Sequence, residues 1–353
     1  MKSNDGLTDR DSLEPGCEQT GSAARSPIVF VFLDPWTLNT NRLAGMLQAM
    51  SALGFTLLDF AFKTLSEADA EEIYRTNHPI REGNSWHVAR LVYPMGRSLG
   101  LLLGFRDPNT CACAQMRRFK GKSNPSVNRP GQLRYDFFAP NRCLSLMHSS
   151  DDLPKARQEA SVFFAEERLA RACSGASDTS ADCSRFTQVV SAAELELGLE
   201  RLQEPGVGTL FARVRLRLVQ RLQRPPSASG AFRTALAAYE ALWEPLSSRS
   251  ERRPVVVEAK QYLQTVAREP ALLAALTAAL ERDSGCSYSE FYRPPLHEPA
   301  ALLSCLRILS NPRLYSRWDS DQQLPAGVLC DRWERLLFMT HLFNFDDMLY
   351  GIE

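Results

Sequence analysis

LSLMHSSDDLPKARQEASVFF, residues 144–164, decides the fold because its period changes partway along. Residues 141–148, NRCLSLMH, read as a strand that ends on a histidine. Ser149–Asp152 then offers N-cap side chains, Pro154 stands near the first helical position, and a helix follows. A strand that delivers His148 just before a helix start places an imidazole beside free backbone N–H groups and the positive end of a helix dipole. Most histidines are structural, so His148 gains weight only from its neighbours.

Upstream the same alternation continues. IVFVFL (28–33) is β-branched and aromatic, bounded by Pro27 and Asp34-Pro35, and reads as a buried strand. Residues 40–53 carry helical spacing at Leu43, Met46, Leu47 and Met50, with Gly54 as the stop. FTLLDFAFKTL (55–65) is a second strand. Residues 66–78 form a helix opened by Ser66, with acidic residues in its first turn. A third strand lies within 87–105. Residues 114–136 hold Arg117, Arg118, Lys120, Lys122, Arg129 and Arg134. Their Gly, Asn and Pro content predicts a long excursion rather than a helix. The basic cluster alone fits a solvated loop.

Lys+Arg and Asp+Glu balance at 41 each in 353 residues. No net field steers this chain onto nucleic acid, so any phosphate site must be a local cluster. Nine cysteines are scattered without zinc spacing, and no metal site is expected. Apolar runs such as LGLLLGF (99–105) are too short to span a bilayer. A cytoplasmic protein with free thiols is expected. The predicted organisation is a disordered tail (1–26), an α+β domain (27–170), a Ser/Gly/Asp-rich linker (171–187) and an all-α domain (188–353). Helices in the last part are predicted over 191–202, 210–226, 231–243, 255–268, 270–282, 298–310 and 329–343, separated by prolines. LFARVRLRLVQRLQRPP (210–226) sets Leu210, Val214, Leu218 and Leu222 beside an Arg213, Arg217, Arg221 edge. That pattern fits either a packed helix with a solvated edge or a partner-binding or membrane-surface helix. His297 and His341 have no companion ligands in sequence.

A nucleophilic imidazole needs a free nitrogen, a partner for its other nitrogen, and cationic or N–H donors for an incoming phosphate. Glu159, Ser150, Arg117, Arg134 and Ser123 are candidates for those roles. The segments GFTLLDFAFKTLSEADAEEIYRTNH (54–78), MRRFKGKSNPSVNRPGQLRYDF (116–137) and LSLMHSSDDLPKARQEASVFF (144–164) together resemble a nucleoside diphosphate kinase domain, over about residues 28–166. The family's pattern is an Arg three residues before an apolar-Gly turn, G-x-[ST]-N-P, P-G-x-[IL]-R-x-D-F, then N-x-x-H-G-S-D-S and a helix bearing a Glu.

The resemblance implies a ferredoxin-like βαββαβ core. It also implies a histidine that passes phosphate between nucleoside di- and triphosphates with Mg²⁺. By position His148 falls on the phosphorylated histidine, and Ser150 and Glu159 on its supports. Tyr74 falls on the flanking tyrosine, although a tyrosine there is more often helix-face packing than a ligand. Arg117 and Arg134 fall on the phosphate-binding arginines, Ser123 on a phosphate-binding threonine, and Trp86 near the base-stacking aromatic.

The departures are specific. Asp34 stands where the family has a lysine on the transferring phosphate, Ser145 replaces an asparagine, and Ser149 replaces a glycine. A carboxylate for an ammonium beside a triphosphate opposes the transition state if it points inward. Asp34 is also suited to capping the helix after Pro35. The expectation is a nucleotide-binding or scaffold module with weak or no phosphotransfer, and the alternative is a working kinase through His148. The resemblance also implies ciliary or axonemal assemblies as a setting and homo-oligomers, and a protein partner is expected on the helical half.

Overall fold

The computed structural model describes residues 28–75, 91–175, 183–197, 205–222, 229–250, 253–284, 298–312, 315, 324–325 and 327–345. The tail 1–26, Trp86 and His297 lie outside the described residues. Four strands, β1 (Ile28–Leu33), β2 (Phe55–Lys63), β3 (Ser98–Phe105) and β4 (Met147–Ser149), form one sheet in the order β2-β3-β1-β4. Every pairing in it is antiparallel. This is the expected ferredoxin-like sheet.

β1 is buried along its whole length because both faces are covered. Val29, Val31 and Leu33 enter one apolar cluster, and Ile28, Phe30 and Phe32 enter another. A strand covered on both sides needs no polar alternation, so six consecutive apolar residues are stable there. After it come α1 (Pro35–Asn39) and α2 (Leu43–Ala52), and α2 buries Leu43, Met46, Leu47 and Met50. Gly54, at φ +97°, ends α2 in the left-handed conformation that glycine adopts without strain. α3 (Glu67–Ile73) opens with a complete capping box between Ser66 and Asp69.

Two expectations fail locally. Residues Ala112–Lys120 form a helix, α4, that runs into the first part of the stretch predicted as an excursion, 114–136. Its apolar residues Ala112, Cys113 and Met116 are buried, and Arg117, Arg118 and Lys120 occupy its last turn, where the helix dipole favours cations. The glycine, asparagine and proline signals apply only from Gly121 onward. The short helix α5 (Leu133–Asp136) follows. The strand predicted over 141–148 is ordered as a ladder only at Met147–Ser149. Leu144 and Leu146 are buried by packing instead, and Leu146 sits at φ +70°. α6 (Leu153–Ala160) is capped by Asp152, as predicted.

Helix α7 (Glu166–Gly175) and helix α8 (Cys183–Leu197) extend into both ends of the stretch predicted as linker. Beyond it the chain is helical, as expected: α9 (Val207–Leu222), α10 (Gly230–Ser247), α11 (Val255–Val266), α12 (Glu269–Ser284), α13 (Glu298–Leu309) and α14 (Arg332–Phe343). Leu210, Val214, Leu218 and Leu222 of α9 are all buried. Its arginine edge is bonded rather than solvated at two positions: Arg213 Nε donates to the Ser247 carbonyl at 3.0 Å, and Arg217 pairs with Glu334 at 2.7 Å. α9 is thus a packed helix. No described helix is long and apolar enough to cross a membrane. The described cysteines Cys111, Cys113, Cys143, Cys173, Cys305 and Cys330 are free thiols.

The two halves share a core. One apolar cluster holds Val31 and Met46 from the sheet side together with Phe186, Phe211 and Leu342 from the helices. Polar bonds fix the register. Asn141 Nδ2 donates to Thr340 Oγ1 at 2.9 Å and meets His341 Nδ1 at 3.3 Å, while its Oδ1 accepts from the amides of Cys143 and Leu144 at 2.9 Å each. His341 is fully buried, and burial pushes its imidazole down to about 3.

The unfolded chain therefore takes up a proton near pH 6.5 that the folded chain refuses until about pH 3. The stability owed to neutral His341 is fully present above pH 6.5 and is lost as pH falls. Urea unfolding between pH 7.5 and 5 should lose up to about 1.4 kcal/mol per pH unit from this group. His341→Asn should flatten the profile, and an unchanged slope in that variant would refute the assignment.

Candidate functional site

β4 pairs His148 with Phe32 of β1, so the imidazole lies on the same face as the Phe30 and Phe32 rings. Its ring is 5.4 Å from Phe32 and 5.0 Å, edge-on, from Tyr74 at the end of α3. Nε2 is 2.8 Å from Glu159 Oε2 on α6, and Ser150 Oγ donates to the same oxygen at 2.9 Å. Ser150 is itself fixed by its N–H on the Phe30 carbonyl at 3.0 Å. A buried carboxylate on Nε2 holds the proton on that nitrogen and leaves the Nδ1 lone pair as the nucleophilic position. Nδ1 has no hydrogen-bond partner among the described residues, and the side chain is 17% exposed. Four of the sequence candidates, His148, Glu159, Ser150 and Tyr74, are therefore brought together. Tyr74 also accepts a hydrogen bond from Tyr93 OH at 3.1 Å, and burial pushes its phenol up to about 12.

The phosphate-binding candidates are arranged differently. Arg134 is only 6% exposed. Its Nε donates to the Ser145 carbonyl at 3.0 Å and its Nη1 to the Gly121 carbonyl at 2.9 Å. Its Nη2 donates to Ser145 Oγ at 3.2 Å and to the Met147 carbonyl at 2.6 Å. These four bonds leave one of the five guanidinium N–H groups. Burial lowers its pKa to about 10. Arg134 thus braces the loop that leads to His148, and Ser145 serves that brace. Arg117 Nη2 donates to the Asp151 carbonyl at 2.9 Å, and its guanidinium lies 3.5 Å from the Asp151 carboxylate. Ser123 is exposed and makes no hydrogen bond to His148, Arg117 or Arg134.

Asp34 takes the capping role. Its Oδ1 accepts from the Thr37 amide at 2.7 Å, at the start of α1. Burial raises its pKa, opposed by the bonds to Thr37 and by the charges of Arg42 and Arg134. The inward carboxylate feared from the sequence is therefore turned toward backbone.

Lys120 escaped the sequence reading as a site residue. Its Nζ donates to Ser149 Oγ at 2.7 Å, on the residue after His148. Burial and the neighbouring Arg134 push it down to about 7. The signal was present: the family pattern carries an apolar residue before that glycine. Gly121 itself, at φ +85°, lets the chain turn there, and a Cβ would lie 2.6 Å from Asn128 Oδ1. No cluster of three or more His, Cys, Asp or Glu suited to a metal exists among the described residues.

The sheet order is that of a ferredoxin-like domain, with His148 on its last strand beside Glu159 and Ser150. Residues 29–169 match the family model described as nucleoside diphosphate kinase. The chain is 28% identical over 137 residues to a nucleoside diphosphate kinase of Histophilus somni (strain 129Pt), covering 39% of this chain and 92% of that protein. It is 29% identical over 137 residues to one of Methanococcus maripaludis, covering 38% and 96%. The crystal structure of nucleoside diphosphate kinase from Encephalitozoon cuniculi, cubic apo form, aligns at TM-score 0.36 and 16% identity, over 40% of this chain and 90% of that one. The chain is thus a nucleoside diphosphate kinase-like domain followed by a largely helical half.

Proposed function

We infer that the chain is a diverged nucleoside diphosphate kinase-like scaffold. In it the histidine pocket persists, phosphotransfer is weak or lost, and the helical half presents a protein-binding surface. The carrying observation is Arg134, whose guanidinium is committed to the Gly121, Ser145 and Met147 carbonyls. A cation already bonded to backbone has little to offer a transferring phosphate, and electrostatic stabilisation of that group is the main work of such a site. Asp34, spent on capping α1, supplies no replacement charge. Any Mg²⁺ arrives on the nucleotide's own phosphates. The family resemblance adds axonemal assemblies as a setting, and homo-oligomers, to this reading.

One observation favours the second reading, a working kinase. The His148–Glu159–Ser150 arrangement is intact and leaves Nδ1 open. The test is incubation of the full chain with Mg·ATP labelled on the γ-phosphate, followed by assay of acid-labile, base-stable label. No label above the His148→Ala background is expected. Asp34→Lys is expected to restore none, because it removes the α1 cap, at a cost of about 1 kcal/mol, and sets an amine near Arg42 and Arg134. Near-stoichiometric label on the natural chain, abolished in His148→Ala, would establish the kinase instead.

A further inference from the structure

β2 is an edge strand: the sheet runs β2-β3-β1-β4, and among the described strands β2 pairs with β3 alone. An edge offers a row of backbone donors and acceptors to any strand that comes alongside. In an antiparallel ladder, alternate residues turn those groups outward. The Arg106 amide on the Gly54 carbonyl at 2.8 Å fixes the phase. Leu57, opposite Leu103, therefore faces out. The register slips between Leu57 and Asp59, so the next outward residue is Phe60, opposite Leu101.

Side chains already occupy these groups. The Leu57 carbonyl accepts from Arg185 Nη1 at 2.9 Å. The Phe60 carbonyl accepts from Arg168 Nη2 at 3.0 Å, and the Phe60 N–H donates to Asp59 Oδ1 at 2.8 Å. Asp59 holds Arg168 there in a two-point pair, taking Nε at 2.8 Å and Nη2 at 2.6 Å. The Arg168 guanidinium carbon also stands 5.1 Å from the centre of the Phe164 ring. Arg168 sits on α7 and Arg185 on α8, and α8 packs on both α2 and β2. Residues 58–63 of β2 are only half-buried. The strand FTLLDFAFK has no Pro or Gly and one charge of each sign, the composition of a segment that pairs readily with a copy of itself.

We propose that Arg168 and Arg185 close the β2 edge against the β2 strand of a second copy of this chain. An antiparallel edge is its own complement under a twofold rotation, so a second copy is the partner this edge fits. Pairing would need the Leu57 and Phe60 groups that the two arginines and Asp59 hold. The closure comes from helices that follow the last strand, so the chain shuts this edge in cis, and any homo-oligomer it forms uses another surface. His148 lies on β4, at the opposite edge of the sheet, so the proposal stands independently of the phosphotransfer question.

The probe is a fluorescein-labelled peptide of residues 55–63, added to the full chain and followed by anisotropy. The natural chain is expected to leave the peptide free. Arg168→Ala combined with Arg185→Ala should bind it about a hundredfold more tightly, the combined effect of releasing three backbone groups at the usual net worth of a hydrogen bond. Sedimentation velocity of that variant should show a concentration-dependent doubling of mass that the natural chain lacks. Asp59→Ala opens the same edge from the strand side, by removing the acceptor for the Phe60 N–H and the anchor of Arg168. It should also gain peptide binding, and it keeps the test decisive if the double variant fails to fold. Equal binding by the natural chain would mean that the edge is open, and no binding by either variant would mean that the bulk of the helices closes it. Either result would overturn the proposal, as would a scrambled peptide that binds the variants as tightly as the true one.

Discussion

Arg215→Met is expected to lower the stability of the chain by about 3–5 kcal/mol, the usual cost of stranding one half of a buried ion pair. Arg215 and Glu269 are both fully buried, with Arg215 Nε 2.9 Å from Glu269 Oε1. Nη2 also donates to Tyr262 OH at 2.8 Å and to the Leu309 carbonyl, and Nη1 to the Phe211 carbonyl at 3.2 Å. Tyr239 OH donates to Glu269, and Tyr262 and Tyr315 are hydrogen-bonded to each other. The guanidinium carbon stands 4.2 Å from the centre of the Trp243 ring, a cation–π contact.

Burial works against the charge on Arg215, but Glu269 and the tyrosines around it hold it protonated. This one cation therefore ties together α9, α10, α11, α12 and the end of α13. Removing it strands the buried Glu269 carboxyl without its cation, which is why the single change should be severe. Arg215→Met combined with Glu269→Gln removes both charges and should recover part of the loss. The midpoint of urea unfolding reads both variants. A single-variant loss below about 1 kcal/mol would mean that the pair is poorly formed in solution.

The second large effect concerns Arg134. Arg134→Ala is expected to cost about 3–5 kcal/mol, since the buried Gly121 and Met147 carbonyls and the partly buried Ser145 carbonyl lose their donor at once. The matching measurement is Mg·ADP affinity under conditions where the variant is still folded. A brace predicts a large drop in unfolding midpoint with a smaller change in nucleotide affinity. A phosphate clamp predicts the reverse. Arg134→Lys separates them further: one amine cannot reach the Gly121, Ser145 and Met147 carbonyls together, so a brace is only partly rescued, whereas a point charge for phosphate would be largely retained.

Much of the fold follows from period and punctuation. IVFVFL, FTLLDFAFK and SLGLLLGF are strands where their apolar runs place them. The helices between Val207 and Phe343 follow the apolar spacing, and prolines separate them except at Pro245, which α10 carries inside its last turn. The misplaced elements have local causes. α4 has a thin apolar stripe, Ala112, Cys113 and Met116, and a basic last turn, so the loop-forming residues after it dominated the window. Leu144 and Leu146 look like strand positions because they are buried, yet what buries them is tertiary packing rather than a ladder.

The candidate site divides the same way. His148, Glu159 and Ser150 share a short stretch with fixed helical and strand offsets, so their convergence was legible. Arg134's commitment was not, because its acceptors come from Gly121, Ser145 and Met147, whose carbonyls converge only after folding. The Asn141–His341 contact joins residues 200 apart and left no local signal at all.

The shared core has a practical consequence for dissecting this chain. Phe186, Phe211 and Leu342 lie in the same cluster as Val31 and Met46, and Asn141 finds its partners on α14. A fragment stopping near residue 170 would carry an unclothed greasy face and an orphaned amide beside the very segment that presents His148. Measurements on such an excised piece would report on a damaged object, and transplanting the helices onto another protein would export the complementary wound.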